Sequence, residues 1–114
     1  MRNLTKVFKS LSDGNRIRIL KMLEIRPLCV CEITAVLELA TSTVSKHLSI
    51  LRDAGFIMDE KVGKWVNYRL NQSRTDIYAG QLMPLLAKWL PNDETIRKDV
   101  EKVSSVDRDA ICGA

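Results

Sequence analysis

Apolar positions recur at helical spacing along most of this chain. Leu4, Val7, Phe8 and Leu11 fall at i, i+3, i+4 and i+7, one apolar stripe of a short helix that has lysines on its other side and ends near Ser10. Ser12 and Asp13 offer an N-cap to a second amphipathic helix, which carries Ile17, Leu20 and Leu23 and runs to about Ile25, where Arg26-Pro27 breaks it. A third helix, from Cys29 or Val30 to Leu37 or Glu38, sets Val30, Ile33, Val36 and Leu37 on its inner face. After a short turn at Leu39-Ala40, Thr41 or Ser42 caps a fourth helix. Its Val44, Leu48 and Leu51 point inward, and Thr43, Ser45, Lys46 and Ser49 point outward. Ala54-Gly55 supplies its stop.

The period then changes from helical to alternating. Phe56 to Asp59 and Lys64 to Leu70 flank a turn around Val62-Gly63, with Val66, Tyr68 and Leu70 on one face, which predicts a two-stranded hairpin. Ile77, Leu82, Leu85, Leu86 and Trp89 then mark an apolar helix from about Asp76 to Leu90, and Pro84 inside it predicts a kink or a division into two pieces. Pro91-Asn92-Asp93-Glu94 opens a more polar helix to about Val103. Residues 1–103 thus read as one domain and 104–114 as a tail, with no internal repeat. The class is mainly α with a β-hairpin (α+β).

Composition narrows the setting. With 114 residues, 46% hydrophobic and 28% charged, the chain has room for a single core and is unlike a disordered segment. No apolar run approaches membrane-spanning length, and Lys6 and Lys9 interrupt the stretch where a signal peptide would need continuous apolar residues, so a cytoplasmic chain with no membrane partner is expected. The net charge of +4 is uneven: residues 1–70 hold 12 Lys and Arg against 7 Asp and Glu, and the remainder holds 6 against 7. A basic half is the electrostatic footprint of a polyanion-binding protein. Enzymatic activity is the least supported class, since no nucleophile–base pair, phosphate loop or matched carboxylates stand out.

Two helices joined by a short turn and followed by a basic hairpin follow the order of a winged helix-turn-helix, whose second helix enters the DNA major groove. Ser, Thr and Lys on the outer face of the fourth helix can donate to phosphates and base edges, and Lys61, Lys64 and Arg69 of the hairpin can reach phosphates. The same outer residues also fit an ordinary solvated helix face, and a lone His47 fits a structural residue.

Cys29 and Cys31 are two residues apart, about 200° around an ideal helix, so they face one ion only at a helix end or in extended chain. Pro27 places them at such an end, where free N–H groups and the helix dipole favour thiolate. Three cysteines in a reducing compartment read as thiols rather than as a disulfide framework. Two readings stay open for the pair, soft-ion ligands and buried small hydrophobes.

LSDGNRIRIL (11–20), LCVCEI (28–33), TVSKHLSILRDAGFI (43–57) and KVGKWVNYRL (61–70) together resemble the ArsR/SmtB family of metal-responsive repressors, in particular its arsenic-sensing members. The resemblance spans about residues 4–90. It implies a homodimeric winged helix-turn-helix that pairs through its first helix and the helix after the wing, binds double-stranded operator DNA and needs no organic cofactor. Its recognition helix would be residues 42–54, with Thr41, Ser42, Thr43, Ser45, Lys46 and His47 as DNA contacts and residues 59–68 as the wing. The family's arsenic motif is C-V-C-[DE]-L-C, whose thiolates bind trivalent arsenic or antimony as inducer. Cys29 and Cys31 match its first two thiols, and Thr34 stands at the third. Three completions of the ligand shell follow: solvent or a small thiol, Cys112 from the tail, or a methylated arsenical needing two thiolates, with Cys112 slightly favoured. The helix after the wing has Asp76 but no His, which argues against a zinc or nickel site there.

Overall fold

Helix α1 (Arg2–Ser10) buries Val7 but leaves Phe8 56% exposed, so the expected stripe is only partly covered within one chain. Asp13 caps helix α2 (Gly14–Leu23), its carboxylate accepting the N–H groups of Asn15 at 2.8 Å and Arg16 at 3.1 Å. The helix ends two residues before the expected Ile25, ahead of Pro27. The computed structural model describes residues 1–72 and 77–107, and within these there are six helices and three strands.

Between α2 and the third helix lies strand β1 (Leu28–Cys29), too short to show any alternation in the sequence. It leads directly into α3 (Val30–Leu37), which ends on Glu38 in the left-handed region at φ 58°. This turn brings in α4 (Thr41–Asp53). The N-cap of α4 is Ala40, which makes no side-chain cap, rather than Thr41 or Ser42. Those hydroxyls fall inside the first turn and remain exposed. Val44, Leu48 and Leu51 are buried against Ile33, Val36 and Leu37 of α3 and Ile19, Leu20 and Met22 of α2, which hold the two helices of the pair on one core.

The end of α4 is a Schellman stop: Phe56 N–H bonds Leu51 C=O at 3.1 Å, Gly55 N–H bonds Arg52 C=O at 3.0 Å, and Gly55 takes φ 90°. Phe56 and Leu51 are both fully buried beneath it. The chain enters β2 (Ile57–Val62) and returns as β3 (Trp65–Leu70), with Val62 opposite Trp65 and Gly63 at φ 61° in the two-residue turn. Asn71 closes the hairpin base, its N–H on Phe56 C=O at 2.8 Å and its side-chain amide on Gly55 C=O at 3.0 Å. The sheet has three antiparallel strands in the order β1-β3-β2, not the expected two.

Helix α5 (Ile77–Lys88) keeps Pro84 within one continuous helix, contrary to the expected division. Lys21 of α2, almost wholly buried, donates to Leu86 C=O at 3.1 Å and Trp89 C=O at 3.0 Å, placing a cation on the carbonyls at the end of α5. Helix α6 (Glu94–Ser105), capped by Asp93, folds back on α2 and α3. Its buried Asp99 takes both Arg18 Nε at 2.8 Å and Arg18 Nη2 at 2.9 Å, which also raises the pKa of that guanidinium. No helix among the described residues is long and apolar enough to cross a membrane.

Gly55 sets the direction in which the chain leaves α4 for the hairpin. Replacing it by Ala forces a Cβ into a positive-φ position, and Gly55→Ala should cost about 1–2 kcal/mol in urea denaturation with no change in m-value.

Candidate nucleic-acid interface and thiol site

The exposed face of α4 follows from which of its residues the core claims. With Val44, Leu48 and Leu51 inward, Thr41, Ser42, Thr43, Ser45 and Lys46 stand exposed. His47 is half-buried, and Arg16 Nη1 donates to its Nδ1 at 3.1 Å. Arginine is donor-only, so this bond makes Nδ1 an acceptor and places the ring proton on Nε2. Arg16 also donates from Nε to Ser10 C=O at 2.8 Å and from Nη2 to Lys9 C=O at 3.2 Å, tying the end of α1 to the middle of α4.

In the hairpin, Lys61 and Lys64 are exposed near the turn, and Lys64 Nζ lies 5.0 Å from the Trp65 ring centroid. Arg69, expected to reach phosphates, pairs with Glu60 at 3.1 Å across the strands. Arg52 at the end of α4 reaches Asp59 of β2 at 3.5 Å, so helix and hairpin are joined by charge as well as by the turn.

The two cysteines sit where α3 begins. Cys29 is buried, extended at φ −86° and ψ 167°, and pairs with Asn67 of β3. It is also the N-cap of α3: its sulfur takes the N–H of Glu32, while Cys29 N–H donates to Glu32 Oε1 at 3.0 Å. Burial pushes the Cys29 thiol up, with the adjacent Glu32 carboxylate adding to the shift. Burial also acts to raise Glu32, but the Cys29 N–H and the Arg26 guanidinium 2.9 Å away outweigh it and hold that carboxyl below its ordinary value. Arg26 Nη2 in turn donates to Val103 C=O of α6 at 3.2 Å.

Cys31 lies in the first turn of α3, half-buried, and Thr34 returns its hydroxyl to Cys31 C=O at 2.8 Å, a bond within the helix; its sulfur is disulfide-bonded, contrary to the expectation of a reduced thiol there. Cys112 and Asp76 lie outside the described residues. Among the described residues no three His, Cys, Asp or Glu side chains gather as a metal site. With the Cys31 disulfide reduced, the pair suits a soft ion by donor chemistry: two sulfurs, one at an N-cap and one in the following turn.

Arg16, Arg26 and Glu32 were not singled out from the sequence. Cys29-x-x-Glu32 is a capping-box spacing with sulfur in place of a hydroxyl, and that spacing is a legible signal. Arg16 has none, because its partner is 31 positions away.

Residues 13–58 match the family model described as bacterial regulatory protein, arsR family. The arsenical resistance operon repressor of Escherichia coli K12 is 35% identical over 106 residues, covering 90% of this chain and 80% of that one. The arsenic resistance transcriptional regulator ArsR2 of Pseudomonas putida KT2440 is 34% identical over 110 residues, covering 93% and 94%. Among solved structures, reduced HlyU from Vibrio cholerae N16961 superposes with a TM-score of 0.64 at 28% identity, covering 79% of this chain and 90% of that one.

In a Cys31→Ser/Cys112→Ser background, Cys29 should be alkylated slowly by iodoacetamide at neutral pH, with a rate that keeps climbing beyond the pKa of about 8.5 of an ordinary thiol. Glu32→Gln removes the neighbouring negative charge and should shift that profile to lower pH. A rate plateau below pH 8 in the first variant contradicts the raised pKa.

Proposed function

Because the chain belongs to the ArsR family of bacterial regulatory proteins, we propose that it is a homodimeric repressor that leaves its operator when Cys29 and Cys31 take up trivalent arsenic or antimony. As a member of that family it is a DNA-binding transcriptional regulator and not an enzyme. The observation that carries the finer reading is the position of Cys29. One residue ends the strand paired to the wing and caps the helix on which α4 packs.

In this reading α4 enters the major groove with Thr41, Ser42, Thr43, Ser45 and Lys46 toward DNA, and Lys61 and Lys64 of the wing meet phosphates. His47 contributes through its Nε2 hydrogen, since Nδ1 is engaged by Arg16. A second copy covers the apolar face shared by α1 and α5. Supporting this, Phe8, Tyr78, Leu85 and Trp89 remain between 38% and 56% exposed, and Leu4, Phe8, Tyr78 and Leu85 line one groove.

Once a small-thiol reductant has opened the Cys31 disulfide by exchange, Cys29 and Cys31 would hold the inducer as thiolates, the ion supplying a soft Lewis acid that displaces their protons. Cys29 is the extended N-cap and Cys31 lies in the first turn, so drawing both sulfurs onto one ion would take the Cys29 sulfur from the Glu32 N–H and strain the bond from the Cys29 N–H to Glu32. The wing strand and the first helix of the DNA-reading pair then shift together. Such couplings are typically about 1–3 kcal/mol, whereas a swing from 1:99 to 99:1 needs about 5.5 kcal/mol. Cys112 is the favoured third sulfur.

A second reading keeps the repressor and changes the signal: oxidation of Cys29 or Cys31, which the similarity to a structure described as reduced HlyU supports. Cadmium or lead at the same thiols is a third signal of the same kind.

Fluorescence anisotropy on the DNA upstream of its own gene decides among these. The wild type should bind with an affinity that falls steeply with salt and be released by micromolar arsenite, while Cys29→Ser/Cys31→Ser should stay bound at arsenite concentrations that release the wild type. Release by peroxide but not arsenite selects the redox signal, and release by cadmium alone selects the metal ion. Cys112→Ser should weaken the arsenite response about tenfold, and an unchanged response removes Cys112 from the ligand set.

A further inference from the structure

We propose that the DNA-contacting surface extends beyond α4 onto α1, whose basic face forms a second row of phosphate contacts. The inference rests on the DNA-binding reading above and concerns residues that reading does not use.

A groove of about 650 Å³ runs between α1 and the C-terminal half of α4, with Arg2, Lys6, Lys9, Arg16, Ile50 and Asp53 among its lining. Four of these side chains are cationic and one is acidic. Arg2, Lys6 and Lys9 are spaced i, i+4 and i+7, so they share one stripe of α1, and all three are exposed. Over that interval a helix rises about 10 Å, enough to follow about three charges of a DNA strand spaced about 3.4 Å apart along the axis.

The groove continues the face that carries the recognition residues. Thr43, Lys46, Ile50 and Asp53 follow one another at steps of three or four along α4, so the wall that closes the groove is the same stripe that begins with the outward Thr and Lys. Arg16 links the two parts, bonded to His47 on one side and to the Lys9 and Ser10 carbonyls on the other. Those carbonyls end α1 and carry its negative dipole, and the guanidinium laid over them removes an obstacle to an approaching anion. Arg16 therefore holds the α1 row in register with α4, and Lys6 and Lys9 supply its mobile charges.

A polyanion fits this surface better than a small anion does, because the cations are strung along a helix and do not converge on one point. Asp53 is the single group on the groove that opposes an anion, so its neutralisation should strengthen binding.

The test compares wild type, Lys6→Ala/Lys9→Ala, Lys6→Arg/Lys9→Arg and Asp53→Asn. Anisotropy is read on the upstream duplex and on an unrelated duplex between 50 and 200 mM salt, with oligomeric state read by sedimentation. The double alanine variant should bind both duplexes more weakly by the same factor, and the slope of log affinity against log salt should fall by about 1 per lysine. Its loss of affinity across that salt range then becomes about tenfold smaller than the wild type's. The arginine pair should match the wild type, and Asp53→Asn should bind both duplexes more tightly. Unchanged affinity and slope in the alanine variant, while the wild type binds DNA, overturns the proposal and leaves the repressor reading standing. A loss confined to the upstream duplex, or a changed oligomeric state, also overturns it, by assigning the groove to base reading or to a second copy. A wild type that binds neither duplex removes both readings at once.

Discussion

A carboxylate buried at the first turn of a helix must find donors there or give up its charge, and Glu32 finds two. The Cys29 N–H comes from the residue that caps the same helix, and the Arg26 guanidinium comes from the break between α2 and β1. These bonds settle where α3 starts and hold Leu28 and Cys29 extended alongside β3. Through Arg26 and the Val103 carbonyl they also reach α6. One buried charge thus orders the N-terminus of the first helix of the pair, the inner edge of the hairpin and α6. A residue with no place in DNA contact governs the frame that presents it.

The recognition helix is held in that frame from three directions. Its inner face is locked by Val44, Leu48 and Leu51, its C-terminus by the Schellman stop over Phe56, and its middle by Arg16 on His47. The bond from Arg52 to Asp59 adds the hairpin to the same unit. This leaves the N-terminal half of α4 exposed and free of side-chain capping, the end that a groove-reading helix presents to bases. Surface cations that look equivalent in sequence differ in what they can do. Arg16, Arg18 and Arg26 are committed to internal partners, and Arg69 to Glu60, whereas Lys6, Lys9, Lys46 and Lys61 stand outward.

In the proposed mechanism the sensing and reading parts share covalent neighbours. A thiol that caps a helix is a weak acceptor, and the energy lost when it stops capping is small compared with bonds to a soft ion. The network around it contains a buried charge, and disturbing that has larger consequences. The inducer would therefore act through the loss of Glu32's donor more than through the loss of the cap itself.

Much of the fold was legible because helical and alternating periods report which face meets a core. The inward Val44, Leu48 and Leu51, the Asp13 cap, the Gly55 stop and the hairpin all follow from spacing and turn chemistry between near neighbours in sequence. The four quoted segments together also identified the family. Strand β1 was not legible: two residues cannot display a period, and Leu28 and Cys29 count as a strand through their pairing with Tyr68 and Asn67, far along the chain. Pro84 stays within one continuous α5 and Phe8 is left exposed, outcomes that helical spacing along the sequence does not fix. The sequence by itself determined the order of the helices and the hairpin, the faces that Val44, Leu48 and Leu51 bury and the helix end at which the two cysteines stand. Only the tertiary structure decided which charges are spent inside and which remain for a partner, because ion pairs such as Arg18 with Asp99 join residues 81 positions apart and no local pattern can announce them.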